Sequence, residues 1–154
     1  MIPVQRLNHA VLYVTDVERS VAFYQAAFGF EVVDAMPGRA AFLRAAGTTN
    51  HHDLGLFAVG PDAPGPEPGR VGLYHLAWEV GSIHDLVGAR QTLQELGALR
   101  GESDHGASKS LYGADPDGNE FEVMWAVPRE AWGEYAGQAA VAPLDLAAEV
   151  ARHG

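Results

Sequence analysis

Two periods run along this chain, one of two residues and one of three to four, and they recur in the same order twice. Residues 7–14 alternate with period two, so that Leu7, His9, Val11 and Tyr13 fall on one face and Asn8, Ala10, Leu12 and Val14 on the other. This predicts a strand with both faces covered. Thr15 followed three residues later by Glu18 has the form of a capping box, and Val17, Val21, Tyr24 and Phe28 then recur at helical spacing until Gly29 stops the helix. Three shorter β-like stretches follow, at about residues 30–35, 40–45 and 53–59, divided by Pro37-Gly38 and by Gly47-Thr48-Thr49-Asn50. The first half therefore reads βαβββ.

Residues 60–69 hold four Pro and three Gly and suit neither a helix nor a strand interior, which makes them a linker. After them the pattern restarts. Residues 72–80 predict a strand, Ser82 caps a helix with Ile83, Leu86, Leu93 and Leu96 on one face, and Gly97 ends it. Leu7-Asn8-His9-Ala10-Val11 and Leu73-Tyr74-His75-Leu76-Ala77 hold the same place in the two halves, an internal repeat. The last strands form a hairpin about Asp115-Pro116-Asp117-Gly118-Asn119. With those five residues as the loop, Ala114 faces Glu120 and Tyr112 faces Glu122. Tyr112 and Glu122 then share a face with Ser110 and Met124, while Phe121, Val123 and Trp125 point to the other. A carboxylate placed among apolar neighbours on a covered face needs a cation, a proton or a metal. Beyond Val127, residues 128–135 predict a short helix and the Ala-rich stretch from Pro143 a helical, peripheral tail.

Composition narrows what such a domain can do. At 154 residues the chain suits one domain or two small modules. Its formal charge of −10, with a single Lys beside nine Arg, argues against nucleic acid or an anionic membrane as partner. It has no Cys, so any metal must be held by His and carboxylate. No apolar run approaches the ~18 residues of a membrane helix, and a soluble cytoplasmic protein is expected.

If the two halves pair their sheets about a pseudo-twofold axis, His9, His75 and Glu122 all lie on strand faces lining one cup. Two imidazoles and a carboxylate are the donor set that holds Fe(II) on one side and leaves the other coordination positions open. A lone strand His is more often a hydrogen-bonded core or rim residue, so the weight rests on the repeat and on Glu122. His51 and His52 also read as exposed loop residues, His105 as a turn residue, and Tyr112 as ordinary sheet packing. His84 and His153 carry no assigned role.

The motifs Leu7-Asn8-His9, Asn50-His51-His52-Asp53, Leu73-Tyr74-His75-Leu76-Ala77, Asp104-His105-Gly106 and Tyr112 through Glu122 resemble those of the vicinal oxygen chelate (glyoxalase/bleomycin resistance/dioxygenase) superfamily. The chain looks most like a one-domain type I extradiol ring-cleavage dioxygenase. The resemblance implies an α+β fold of two paired βαβββ modules forming a cup-shaped half-barrel. A single domain over residues 1–127, with modules at about 5–60 and 70–127, would precede a helical tail at 128–154. It implies Fe(II), or Mn(II), bound by His9, His75 and Glu122, with His52, His105 and Tyr112 acting on substrate. His52 is preferred to His51 because it directly precedes Asp53 and is in parity with Leu54 and Leu56. Glyoxalase I-like relatives need a fourth ligand, and the repeat offset sets Leu56 at that position, where it cannot bind metal.

The implied activity is extradiol cleavage of a catechol-type aromatic by O2. A metal-dependent isomerase, lyase or epimerase of the same superfamily, and a non-catalytic aromatic- or antibiotic-binding module, are the alternatives. The expected partners are a small catecholic substrate and O2, in a homodimer or larger homo-oligomer.

Overall fold

A computed structural model describes residues 1–154. It divides into two compact units, Met1–Pro66 and Glu67–Gly154. In the first, β1 (Ala10–Val14), α1 (Val17–Phe28), β2 (Glu31–Met36), β3 (Ala40–Arg44) and β4 (Leu54–Ala58) form a four-stranded sheet in the order β1-β4-β3-β2 with one helix. In the second, β5 (Leu76–Glu79), α2 (Ile83–Glu95), β6 (Leu99–Asp104), β7 (Ser108–Ala114) and β8 (Glu120–Ala126) repeat that order as β5-β8-β7-β6. Each sheet is mixed, with its first and last strands parallel and the rest antiparallel. The strand after each helix carries an irregularity, between Val32 and Asp34 in β2 and between Leu99 and Gly101 in β6. The repeat therefore extends to backbone detail, and the fold is α+β.

In the first unit α1 packs on β3 and β4. Leu54 and Leu56 of β4 are fully buried, and Leu12, Val14, Ala41 and Leu43 are buried with them. Each leucine contributes on the order of 2 kcal/mol of apolar burial. Stacked Tyr24, Phe28 and Phe30 close the end of the helix, where Gly29 at φ 65° sends its N–H back to the Gln25 carbonyl. The helix begins one residue later than a Thr15 capping box would place it. Asp16 is the N-cap, accepting from the Arg19 N–H at 2.9 Å, while Thr15 Oγ1 accepts from the Arg19 guanidinium and Glu18 accepts from the Gly38 N–H. A carboxylate caps as well as a hydroxyl does, so adjacent Thr and Asp compete for the role.

β1 is also shorter than residues 7–14, and only one of its faces is covered. Val11 and Tyr13 are 51% and 73% exposed, whereas Leu12 and Val14 are buried. The face away from α1, here the far face, carries Val11 and Tyr13 of β1, Gly55 and Phe57 of β4 and Phe42 of β3.

In the second unit Ser82 caps α2 by accepting from the Asp85 N–H, as its position suggests, and Gly97 at φ 65° follows the helix. The hairpin pairs Ala114 with Glu120, Tyr112 with Glu122 and Ser110 with Met124. Its loop is organised by the Asp115 carboxylate, which accepts from the Asp117 and Asn119 N–H groups at 2.9 Å. Phe121, Val123 and Trp125 are buried on the α2 side, leaving Glu122 on the far face.

The C-terminal segment departs from expectation. Residues 128–135 form two 3-10 turns, Arg129–Ala131 and Gly133–Ala136, in place of one helix, and α3 (Leu146–His153) is short. Nor is the segment peripheral: α3 packs on α2, and its Glu149 is buried 3.4 Å from the Nζ of Lys109, the chain's one lysine. A composition rich in Ala carries no sign of this, because the anchor is an ion pair made to a strand forty residues earlier. No helix is long and apolar enough to cross a membrane.

Candidate functional site

In the first unit the loop between β3 and β4 is folded about Asp53. Its carboxylate accepts from the Ala45 N–H at 2.9 Å, the Thr48 hydroxyl at 3.1 Å and the Asn50 amide at 2.7 Å. The Asn50 amide also donates to the Asn8 carbonyl at 2.7 Å, tying the loop to the residue before His9. This staple brings the rings of His9 and His52 to 4.5 Å between centroids, with Phe42 edge-on to His52 at 5.1 Å. His52 therefore belongs with Phe42 near the far face, and not with Leu54 and Leu56 in the core. The period-two parity breaks at Asp53, whose side chain is turned into the loop.

His9 Nδ1 lies 2.9 Å from Asn8 Oδ1, an acceptor, so the proton sits on Nδ1 and Nε2 keeps its lone pair. His51 is exposed and reaches His52 through a 3.1 Å contact between their Nδ1 atoms. Burial holds His52 below its ordinary pKa, and the charges of His9 and His51 add to that effect against the pull of Asp53. A neutral imidazole at physiological pH is a competent proton acceptor.

In the second unit the Nε2 of His75 lies 3.1 Å from Glu122 Oε2, on side chains only 25% and 13% exposed. Tyr112, cross-strand from Glu122, sets its ring 5.8 Å from that of His75 and its hydroxyl 2.7 Å from His105 Nε2. Burial, then the Glu122 carboxylate and Tyr74, hold the Tyr112 hydroxyl above its ordinary pKa. One cluster thus gathers His75, Glu122, Tyr112 and His105. No group of three or more His, Asp or Glu side chains is arranged to hold a metal ion. The donor chemistry within each unit nevertheless suits a divalent cation. His75 Nδ1 is buried with no hydrogen-bond partner, the adjacent carboxylate has little solvent, and the lone pair on His9 Nε2 is uncommitted.

Strand register decides what stands opposite Glu122 in the repeat. β5 pairs Ala77 with Glu122, and β1 pairs the equivalent Val11 with Gly55. The position matching Glu122 is therefore Gly55, and Leu56 instead points into the core beneath α1. Glycine, like leucine, offers no side-chain donor to a metal at that position.

The model of the Glyoxalase/Bleomycin resistance protein/Dioxygenase superfamily matches residues 6–123. The chain belongs to this superfamily. Among relatives within it, a protein named catechol-2,3-dioxygenase from Bacillus subtilis is 35% identical over 127 residues, which cover 82% of this chain and 43% of that protein. One named biphenyl-2,3-diol 1,2-dioxygenase 3, from Rhodococcus globerulus, is 34% identical over 132 residues, covering 81% of this chain and 67% of the relative. The chain thus spans less than half the length of the Bacillus protein. Among solved structures, a lactoylglutathione lyase from Agrobacterium tumefaciens superposes with a TM-score of 0.61 at 25% identity, covering 80% of this chain and 96% of that one. Proteins named dioxygenase and a protein named lyase both stand among its likenesses, so membership alone does not choose the reaction.

Proposed function

We propose that this protein is an Fe(II)-dependent extradiol dioxygenase, with Mn(II) as the alternative metal, that opens a catechol-type ring with O2. His9, His75 and Glu122 would hold the metal. The observation that carries the reading is the asymmetry between Glu122 and Gly55: the repeat supplies one carboxylate where a four-donor site needs two. Three protein donors would leave a divalent metal with open positions, and when bound it would supply Lewis-acid and redox chemistry for a vicinal diol and O2.

The remaining steps belong to the side chains. His52, kept neutral by its surroundings, accepts a proton from a substrate hydroxyl and stabilises the negative charge that develops nearby. Tyr112 and His105, already hydrogen-bonded to each other, orient the substrate oxygens and return a proton as the ring opens. Phe42 and Phe57, in edge contact, offer an apolar surface for an aromatic ring on the same face as His52.

A second reading, a metal-dependent isomerase or lyase on a small vicinal dioxygen compound, draws support from the lactoylglutathione lyase likeness. Anaerobic reconstitution with Fe(II), followed by O2 uptake and the appearance of yellow ring-opened product from simple catechols, separates the two. Turnover without O2 consumption, or full activity with a redox-inert divalent ion, would replace the dioxygenase reading with the isomerase one.

A further inference from the structure

The loop Asp104-His105-Gly106 is gripped by the C-terminal segment. Asp104 and Ala142 exchange backbone hydrogen bonds of 2.8 and 2.9 Å, and His105 Nδ1 lies 2.7 Å from the Ala140 carbonyl oxygen. Gly106, at φ 74°, lies directly under the Tyr135 ring, and a Cβ there would collide with it. Trp132 donates from its indole nitrogen to the Val127 carbonyl at 2.6 Å, fixing where the segment leaves β8. Farther along, buried Glu149 pairs with Lys109, whose Nζ also bonds Asp104, and with Arg152 at 2.9 Å.

A backbone carbonyl only accepts, so the bond to Ala140 requires a proton on His105 Nδ1. In the neutral ring Nε2 is then an acceptor, and the Tyr112 hydroxyl at 2.7 Å donates to it. The direction of this bond sets what Tyr112 offers on the far face. With its proton turned towards His105, its oxygen presents a lone pair. With the other His105 tautomer, Nε2–H would donate to Tyr112 and the phenol proton would turn outward.

We propose that the C-terminal segment is a positioning element of the site: the Ala140 carbonyl fixes His105 as the Nδ1–H tautomer, and through it makes Tyr112 an acceptor towards the substrate hydroxyl. His105 thus sets the direction of the hydroxyl with which Tyr112 meets substrate. The catalytic consequence rests on the dioxygenase reading, whereas the tautomer is a property of the metal-free protein.

Long-range 1H–15N correlation of metal-free, 15N-histidine-labelled protein reads the tautomer directly. The expected result is His105 protonated on Nδ1 in the wild type. In Ala142→Pro, which lacks the N–H that bonds the Asp104 carbonyl, that preference should collapse towards the mixture of a free imidazole. Should Ala142→Pro fail to fold, Tyr135→Ala carries the same measurement by removing the ring over Gly106. An Nε2–H tautomer in the wild type, or an unchanged Nδ1–H tautomer in the folded variant, would overturn the proposal. On catechol the variant should lose about tenfold in kcat with iron content unchanged, by analogy with other groups that orient a reacting side chain. Absence of catechol cleavage in the wild type, beside the expected tautomers, would count against the dioxygenase reading alone.

Discussion

In the first unit β1 sets Val11 beside Gly55, and the histidines His9 and His52 stand near an aromatic pair, Phe42 and Phe57. In the second, β5 sets Ala77 beside Glu122, and the histidines His75 and His105 stand near a carboxylate and a phenol. Element order, mixed sheet, irregular strand and terminating glycine are common to both. Beyond loop lengths and the C-terminal segment, the differences lie on the far faces, where side chains do not hold the sheet together. A repeated scaffold can therefore differ in chemistry between its halves at little cost in stability, one face pairing histidines with aromatic rings and the other with a carboxylate and a phenol.

The largest expected effect tests which side of β4 each residue occupies. Leu56→Glu should bury an unpaired carboxylate beneath α1, costing about 4 kcal/mol or more and leaving the first unit unfolded or insoluble. Gly55→Glu should fold, since a Cβ there meets only Val11 Cγ2 at 3.3 Å and the Phe42 ring at 3.7 Å. It restores a carboxylate opposite Glu122 in the repeat, so iron should bind more tightly while ring cleavage falls. Thermal melts and iron titration read both, and a soluble, cooperatively melting Leu56→Glu would show the register to be wrong.

Next in size is the loss of a single donor. His9→Ala, His75→Ala and Glu122→Ala should each weaken iron binding by more than the ~100-fold typical of outer groups, with melting temperatures little changed, because the strands are paired without the metal. Iron content after anaerobic reconstitution is the measurement. Full occupancy in Glu122→Ala would remove that residue from the ligand set.

Smaller again are the effects expected at the residues proposed to act on substrate. His105→Phe should cost roughly 10²-fold in kcat and Tyr112→Phe somewhat less, with iron retained in both. Wild-type kcat in His105→Phe would return that residue to a structural role in the loop.

Acid should loosen the second unit before the first. Although burial pushes the Asp104 carboxyl up, hydrogen bonds from Lys109 and the Gly106 N–H draw it below its ordinary pKa overall. A depressed carboxylate stabilises the folded state above the unfolded pKa, and that stability is lost as pH falls through the lowered value. Amide exchange at Ala142 should therefore rise below about pH 4, near the unfolded aspartate pKa, ahead of exchange in β3 and β4. Simultaneous loss would mean that Asp104 does not govern the docking of the C-terminal segment.

The smallest effect compares the two helix caps. Asp16→Ala and Ser82→Ala should each cost about 1 kcal/mol in denaturant melts, and Thr15→Ala only a few tenths. A larger loss for Thr15→Ala would restore the capping box.

Local signals were the legible ones. The loop from Asp115 to Asn119 contains its own turn chemistry, and period two then dictates every partner from Ala114–Glu120 to Ser110–Met124. Ser82 and the αL glycines Gly29 and Gly97 likewise act on neighbours within one turn of chain. The repeat of His9 and His75 could be read because both begin the same motif. By contrast, a constant offset sets Leu56 against Glu122 only where the loops of the two halves are of equal length. The β1–β4 register joins strands forty residues apart, and no local pattern records it. The parity that linked His52 to Leu54 failed because Asp53 turns into its own loop.

By itself the sequence determined two βαβββ units, the hairpin that exposes Glu122 and Tyr112 on one face, and, having no Cys, that any metal would meet only nitrogen and oxygen donors. Tertiary structure alone decided that Gly55 stands where the repeat has Glu122. It also set His52 against His9 and Phe42, and carried the C-terminal segment back to His105. The physical reason is range: capping, turns and side-chain parity are settled within a few residues. Parallel register and the burial of Glu149 against Lys109 are settled only when distant segments exclude water together.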